Sequence, residues 1–156
     1  MAAQLTPELA EFIGSGVSIL VGTRNAELRP ACLRASGAKA NAERSEVVLY
    51  LGAAVALRTL DNLRNNGEIA ATFSRAIDHR AVQLKGHCVE IRSSEAADKA
   101  LQERYEEEYG KVLLYLGLPK HVVARKRFWP SVAVTFKVEG IFEQTPGPRA
   151  GLPFKG

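Results

Sequence analysis

The sequence predicts a mainly β domain in which about six antiparallel strands carry a few flanking helices. Apolar and polar residues alternate along much of residues 79–92 and again along 132–139, which is the period of a half-buried strand. Most of the strand-like runs are separated by short turns, and helical periodicity interrupts them only after the third strand and before the last one. Such strands must protect their edges, and closure into a small barrel is one solution.

Length and composition narrow the class of protein. A chain of 156 residues with 46% hydrophobic and 24% charged residues is ordinary for a globular domain with a sizeable core. No apolar run approaches the roughly 20 residues needed to span a bilayer, and the N-terminus lacks the basic region of a secretory signal. We therefore expect a cytoplasmic protein without a membrane partner.

The net charge of +4 permits an anionic partner without identifying one. The basic residues are spread along the chain and no nucleic-acid recognition motif is present, so a nucleic-acid partner is not expected. A small phosphorylated molecule would need only a few of these cations placed together.

The first half of the chain begins with a helix. Thr6 can cap it, Pro7 suits its first position, and Leu9, Phe12 and Ile13 form an apolar stripe. The elements predicted next are strands at 17–23, 28–36 and 47–51, a loop at 37–46, and a helix at 53–66 with Leu57, Leu60 and Leu63 on one side.

The second half contains the longest predicted strand and two helices. Strands are predicted at 69–74 and 79–92, and a helix then runs from Ser93 or Ser94 to Tyr109, with Ala97, Leu101 and Tyr105 inward and Gly110 as its stop. A short helix opens at 117–119 before the final strand. We predict a single domain over 1–145 and an extended Pro/Gly-rich tail over 146–156, either disordered or laid over a neighbouring subunit.

Polar groups with binding chemistry lie on one face of the strand at 79–92. Val82, Leu84 and Cys88 share the other face, whereas Ala81, Gln83, Lys85 and His87 share this one. Gly86 interrupts the run and indicates a bulge, a sharp bend or a close approach to the backbone. The segment by itself fits an ordinary half-solvated strand as well as a functional face.

Cysteine and histidine spacing predicts neither a redox pair nor a metal site. Cys32 and Cys88 do not form a C-x-x-C pair, and we interpret both as small buried hydrophobes. His79 and His87 could share a strand face, but eight residues of strand separate them by about 26 Å, too far for one metal ion.

The order of these elements resembles the FMN-binding split barrels related to pyridoxamine 5′-phosphate oxidase. The resemblance spans roughly residues 6–144 and rests on VSILVGTRNAELRPACLR as a hairpin, on VVLYLGAAVALRTLDNLRNN, and on IAATFSRAIDHRAVQLKGHCVEI. The matching positions are Arg58 at the start of a helix, the Asn62-Leu63 pair, Arg80 and Val82 in an Arg-x-Val pattern, and Gly86 in the long strand. The fold it implies is a six-stranded antiparallel split β-barrel.

The resemblance implies an FMN-binding oxidoreductase with its flavin at a homodimer interface. Basic side chains hold the flavin phosphate in this family, and Arg58 matches the helix cation. Arg34 lies near the second-strand cation, although the best register puts Leu33 there, and Ala81 stands where the oxidase has glutamine. The implied cofactor-binding residues are Arg34, Arg58, Arg80, Gln83, Lys85 and Trp129, the last of which could stack near the isoalloxazine ring.

The resemblance leaves the cofactor and the chemistry open. A deazaflavin is one alternative to FMN, and a non-catalytic module for haem, another tetrapyrrole or flavin is another. His87 is then a candidate haem ligand, although a residue of the barrel wall is the simpler interpretation. No catalytic residue, substrate or electron donor follows from the sequence. The shorter chain and the tail TPGPRAGLPFKG argue against pyridoxamine phosphate oxidation itself.

Overall fold

One antiparallel sheet connects every strand of the computed structural model, which describes residues 3–125 and 128–155. The helices in these ranges are α1 (Pro7–Gly14), α2 (Leu57–Asn66), α3 (Ala96–Tyr115) and α4 (Lys120–Val123). The strands are β1 (Ser18–Arg24), β2 (Pro30–Arg34), β3 (Ala38–Ala40), β4 (Glu46–Gly52), β5 (Glu68–Ser74), β6 (Ala81–Ser93) and β7 (Ser131–Glu143). No helix in the described ranges has both the length and the apolar character needed to cross a bilayer.

The strand order is β2-β1-β5-β6-β7-β4-β3, so the described strands form an open sheet with β2 and β3 at its edges. The two longest strands, β6 and β7, lie at its centre and pair along most of their length. The sheet has seven strands rather than the predicted six. The additional strand is β3, which lies in the predicted loop at 37–46 and pairs with β4. Three residues in a polar segment are too few to show a strand period.

Gly86 accounts for a break in the pairing between the two central strands. The register shifts between Lys85 and Gly86, and a Cβ atom at Gly86 would collide with the carbonyl oxygen of Lys137. Both the bulge and the close backbone approach that the glycine predicted are therefore present. Only a residue without a side chain lets β7 come this near.

The inner face of the sheet is apolar and packs into one contiguous core. Ile19 of β1, Phe73 of β5 and Phe136 of β7 are fully buried there, and Val82 and Leu84 are the inward residues of β6 as predicted. Helix α1 covers part of this core with the predicted stripe of Leu9, Phe12 and Ile13. The Thr6 hydroxyl accepts a hydrogen bond from the Leu9 amide, as expected of its N-cap.

Helix α2 is shorter than predicted, and two of its three aligned leucines are buried. It begins at Leu57 rather than residue 53, and Leu57 itself is exposed. Its buried side consists of Thr59, Leu60, Asn62 and Leu63. The Asn62 amide donates to the Thr23 hydroxyl of β1 at 3.0 Å. The buried side of α2 therefore includes this polar contact, while Leu57 is in solvent.

A buried polar network attaches helix α3 to the sheet. Asp98 accepts two hydrogen bonds from Arg92 of β6, at 2.6 and 3.1 Å, and one from the Tyr50 hydroxyl of β4 at 2.8 Å. The Arg92 guanidinium holds the pKa of Asp98 at about 2, below its usual range. Burial, together with the hydrogen bond to Asp98, raises the pKa of Tyr50.

This network corrects the predicted inward stripe of α3. Asp98 and Gln102 are buried with Tyr105, while the predicted Ala97 is exposed and Leu101 is only partly buried. The helix also continues past Gly110 to Tyr115. Gly110 is buried, and a Cβ atom there would lie only 3.1 Å from a methyl group of Val123 of α4. This glycine therefore marks a close contact between two helices rather than a helix end.

The C-terminal segment folds back along residues 141–143 of β7, beyond the part of β7 that pairs with β4. The Phe154 amide donates to the Ile141 carbonyl, the Glu143 amide donates to the Leu152 carbonyl, and Pro153 pairs with Phe142. The Thr145 hydroxyl accepts from the Ala81 amide at 3.1 Å. The described part of the tail is thus ordered against its own strand, and it contributes to the burial of Ala81.

Candidate functional site

The outer face of β2, β1, β5 and β6 has small residues at its centre. Cys32, Gly22 and Ala70 are register neighbours on successive strands, and Lys85 is the next neighbour in the same row. Adjacent strands lie about 4.8 Å apart, so the three small residues form a floor about 10 Å wide. A planar group could lie flat on this floor because no large side chain rises from it.

A cavity of about 590 Å³ opens over this floor, and we call it the sheet-face cavity. Its size falls in the range of small-molecule sites. The lining residues come from five strands: Gly22, Thr23, Arg24, Pro30, Ala31, Cys32, Glu68, Ile69, Ala70, Lys85, Gly86, His87 and Glu139. The cavity therefore lies on the face of β6 that carries the predicted polar groups.

The basic side chains around the sheet-face cavity differ in the contacts that they make within the chain. Arg24 is paired with Glu68 at 2.7 Å. The Lys85 ammonium lies 4.8 Å from the centroid of the Phe142 ring, and its side chain is exposed. His87 is exposed at the rim, with its ring against the backbone of Gly67. Lys85 is thus a cation available to a ligand lying on the floor.

Arg34 lines a second cavity, of about 310 Å³, between the end of β2 and helices α3 and α4. We call it the helix cavity. The Arg34 guanidinium donates to the Ser18 hydroxyl at 2.9 Å and to the Tyr109 hydroxyl at 3.0 Å. Arg125 and Glu106 line the same cavity. The two guanidinium groups could contact an anion in this space, which also contains the Glu106 carboxylate.

The two cavities are neighbours along β2. Cys32 lines the sheet-face cavity and Arg34 lines the helix cavity, and they point from the same side of the strand. Residues two apart on a strand are separated by about 7 Å. A ligand on the floor could therefore extend one end towards Arg34.

Gln83 and Arg80, the two other candidates near β6, already have partners within the chain. The Gln83 amide donates to the Thr72 hydroxyl at 3.0 Å across the outer face, next to Lys85. Arg80 pairs with Glu8 at 2.9 Å and lies over the Phe12 ring at 4.9 Å. Arg80 thus contacts helix α1 rather than the floor.

Arg58 and Trp129 lie apart from both cavities in the described structure. Arg58 is exposed at the second position of α2 and lines neither cavity. Trp129 is exposed before β7, and the Lys99 ammonium of α3 lies 5.5 Å from its ring centroid. Of the six candidates, Gln83 and Lys85 lie side by side on the outer face of β6. Arg34 lies on β2, at the other end of the register row that runs through Leu20 and Thr72 to Gln83. The other three candidates lie elsewhere.

Sequence reasoning missed Cys32 and Tyr109. Cys32 is exposed, contrary to its interpretation as a buried hydrophobe, whereas Cys88 is half-buried. The alternation of β2 contains the signal, because Ala31 and Leu33 alternate with Cys32 and Arg34. Tyr109 stacks on Tyr105 one turn earlier, and this i, i+4 pair was the available signal.

Among the described residues, no three His, Cys, Asp or Glu side chains are grouped to hold a metal ion.

Comparison with known proteins supports the fold through structure rather than sequence. No protein-family model matches the chain, and no curated protein matches it. HupZ of Group A Streptococcus is similar in structure with a TM-score of 0.57 at 20% identity, over 95% of this chain and 100% of that one. A candidate pyridoxamine 5′-phosphate oxidase from Lactobacillus delbrueckii also gives 0.57, at 14% identity over 89% and 93% of the two chains.

A third structure is that of an FMN-binding protein from Syntrophomonas wolfei, with a TM-score of 0.54 at 13% identity over 86% of this chain and 85% of that one. An F420 reductase gives 0.56 at 11% identity, over 84% and 93%. At these identities the similarity concerns the fold alone. The chain has the split-barrel fold of pyridoxamine 5′-phosphate oxidase-like proteins.

Proposed function

We propose that this split barrel binds a flavin on its outer sheet face and acts as an FMN-dependent oxidoreductase. The observation that carries the proposal is the row Cys32, Gly22, Ala70 and Lys85, which combines a flat floor with a cation at one end. When bound, the flavin would supply hydride or electron transfer. The residues of this chain would bind and orient it.

Lys85 and Gln83 would lie beside the ring. An ammonium group near the N1–C2 edge favours negative charge on the ring, and an amide can donate a hydrogen bond there. Lys85 is exposed to the cavity, and Gln83 is held in place by Thr72. This arrangement supports the sequence-based assignment of both residues.

Arg34 would receive the flavin phosphate. It lies two residues beyond Cys32 on the same side of β2, and Ser18 and Tyr109 hold its guanidinium group. A phosphate group prefers bidentate arginine donors. Arg58 is the competing phosphate ligand, since the family resemblance favours it, although it lines neither cavity.

A homodimer would complete the site. Leu20 lies beside Arg34 in the register of the outer face and is 41% exposed, although it is a large apolar side chain near the middle of a binding face. A second copy packed on this face would cover Leu20 and would enclose a flavin between two sheets.

The test is a pair of titrations in which the purified protein binds FMN or riboflavin, followed by flavin fluorescence. Arg34→Gln should weaken FMN about tenfold and leave riboflavin unchanged, because only FMN carries the phosphate. Lys85→Ala should weaken both ligands, because it acts on the ring. Arg58→Gln serves as the matched variant. If it weakens the binding of FMN but not of riboflavin, and Arg34→Gln does not, then Arg58 of α2 rather than Arg34 binds the phosphate.

A protein that binds neither flavin would overturn the flavin proposal. The same preparation should then be titrated with a deazaflavin and with haem. A Soret band that disappears in His87→Ala would favour the haem-binding alternative, since His87 is at the rim of the sheet-face cavity. For a flavin-loaded protein, bleaching of the flavin absorbance by NADH or NADPH would identify the electron donor.

A further inference from the structure

The tip of the helical hairpin formed by α3 and α4 exposes a cluster of large apolar side chains. We define this hairpin tip as residues 111–125. Helix α3 ends at Tyr115, Gly117 turns the chain with a φ of +93°, and α4 begins at Lys120. Tyr115 is 77% exposed, far more than an aromatic side chain in a core. The other exposed apolar residues of the tip are Leu114, Leu116, Leu118 and Val122.

The charges of the hairpin tip are all positive. Lys111, Lys120 and Arg125 are exposed, and so is His121. The sequence contains no aspartate or glutamate from residue 109 to residue 138. The neighbouring acidic residues precede the tip on α3: Glu107 pairs with Lys111 at 3.3 Å, and Glu106 lines a cavity together with Lys111 and Lys120. The turn between the two helices therefore carries apolar groups beside cations, and the carboxylates lie at the base of the hairpin.

The hairpin tip projects outward at its turn. A side chain added at Gly117 would meet no atom within 4 Å, so the turn is surrounded by open space. A cavity of about 340 Å³ is lined by residues of α3 and of 120–124, but not by the turn at residues 115–119. This open apolar turn can enter a soft layer in which the apolar groups leave water while the cations stay at the polar boundary.

We propose that the hairpin tip inserts into the surface of membranes that contain anionic phospholipids. The leucines and Val122 would enter the acyl boundary, Tyr115 would lie at the headgroup level, and Lys120 would contact lipid phosphates. Positive charge on the tip is complementary to the negative surface of such a membrane. Surface insertion needs no spanning helix, so it is compatible with the absence of a spanning segment in the sequence, although the sequence predicted no membrane partner.

The experiment measures co-sedimentation of the full chain with two kinds of vesicle. One kind contains phosphatidylcholine alone, and the other contains phosphatidylcholine with a minority of phosphatidylglycerol. We expect binding to the anionic vesicles that weakens as salt is added, and much weaker binding to the neutral ones. Soluble glycerol phosphate should not compete at equal phosphate concentration, which separates a lipid surface from a free phosphate ligand.

Two variants and a matched control divide the contributions. Tyr115→Ser with Leu116→Ser removes apolar contact, and Lys111→Gln with Lys120→Gln removes charge; each should lower the partition onto anionic vesicles about tenfold. The control is Leu28→Ser with Ile77→Ser, which removes two exposed apolar side chains elsewhere and should change nothing. Circular dichroism verifies folding, and FMN affinity should remain unchanged in all three.

Absence of binding to anionic vesicles by the parent chain would overturn the proposal. Equal losses in the tip variants and in the control would also overturn it, because the effect would then be general hydrophobicity. If Tyr115→Ser with Leu116→Ser instead lowers the mass of an oligomer in solution, the tip is a contact between copies of the chain. The flavin titrations are independent of this outcome, since none of the substituted residues lines the floor.

Discussion

The two faces of the sheet differ in what surrounds adjacent residues of the same strand. Phe73 of β5 is fully buried in the core, whereas its neighbour Thr72 lies half-buried on the outer face and bonds Gln83. On β1, Val21 is buried and Leu20 is 41% exposed. Adjacent residues of one strand point to opposite faces of the sheet, so they can serve different purposes. The inner face supplies stability, and the outer face is free to bind a ligand.

The largest effect on the free energy of unfolding should come from a substitution on the inner face of the sheet that leaves the outer face intact. Phe73→Ala should lower the free energy of unfolding by about 3–5 kcal/mol, because it removes a fully buried ring from a packed core. Thr72→Ala should cost about 1 kcal/mol or less, chiefly the hydrogen bond to Gln83. Urea unfolding of both variants gives the comparison. Equal costs would mean that the outer face is as important to stability as the core.

A second, smaller effect tests the polar network that attaches α3 to the same sheet. Asp98→Asn should cost about 2 kcal/mol near neutral pH, less than a fully buried pair because Arg92 is partly exposed. The pKa of Asp98 is lowered to about 2, so its contribution is complete above the usual carboxyl pKa and is lost as the pH falls towards 2.

The measurement for this network is unfolding of the parent and of Asp98→Asn across acidic pH. The difference between them should shrink from about pH 5 down to pH 2. Asp61→Asn is a suitable control, because Asp61 is exposed on α2 and pairs with the exposed Arg64 at 3.4 Å. A difference that stays constant with pH would show that the Asp98 carboxylate charge is not what stabilises α3.

The smallest effect on stability should come from the outer face itself. Cys32→Ser should change the free energy of unfolding by no more than about 0.5 kcal/mol, since Cys32 is exposed. A thiol reagent should modify Cys32 much faster than Cys88, whose pKa is raised by burial. Bound FMN should protect Cys32, because it lies on the proposed floor. If Cys32 is labelled equally fast in the flavin-loaded protein, the cofactor does not bind on this face.

The accuracy of the sequence predictions depended on the distance over which each pattern acts. The Thr6 cap, the stripe of α1 and the faces of Val82 and Leu84 are confirmed, because each depends on neighbours within one turn or two strand positions. The inward stripe of α3 was wrong because Asp98 is buried by partners on β4 and β6, which local periodicity does not contain.

The candidate site was predicted less completely than the fold. The shared outer face of Lys85 and Gln83 on β6 was predictable, because it follows from alternation alone. Arg80 carries the family pattern, yet its guanidinium is occupied by Glu8, 72 positions earlier in the chain. The cofactor-binding roles of Arg34, Arg58, Arg80, Gln83, Lys85 and Trp129 stay predictions until the flavin titrations test them.

By itself the sequence determined the antiparallel β class, most of the strand positions, the glycine at the bulge and the polar face of β6. These features follow from side-chain alternation, capping and backbone freedom, which act over a few residues. Only the tertiary structure decided that Cys32, Gly22, Ala70 and Lys85 form one row, and that Arg34 meets Tyr109 across 75 residues of chain. Strand order and helix docking bring such residues together, and both are set by the burial of the whole core rather than by any local pattern.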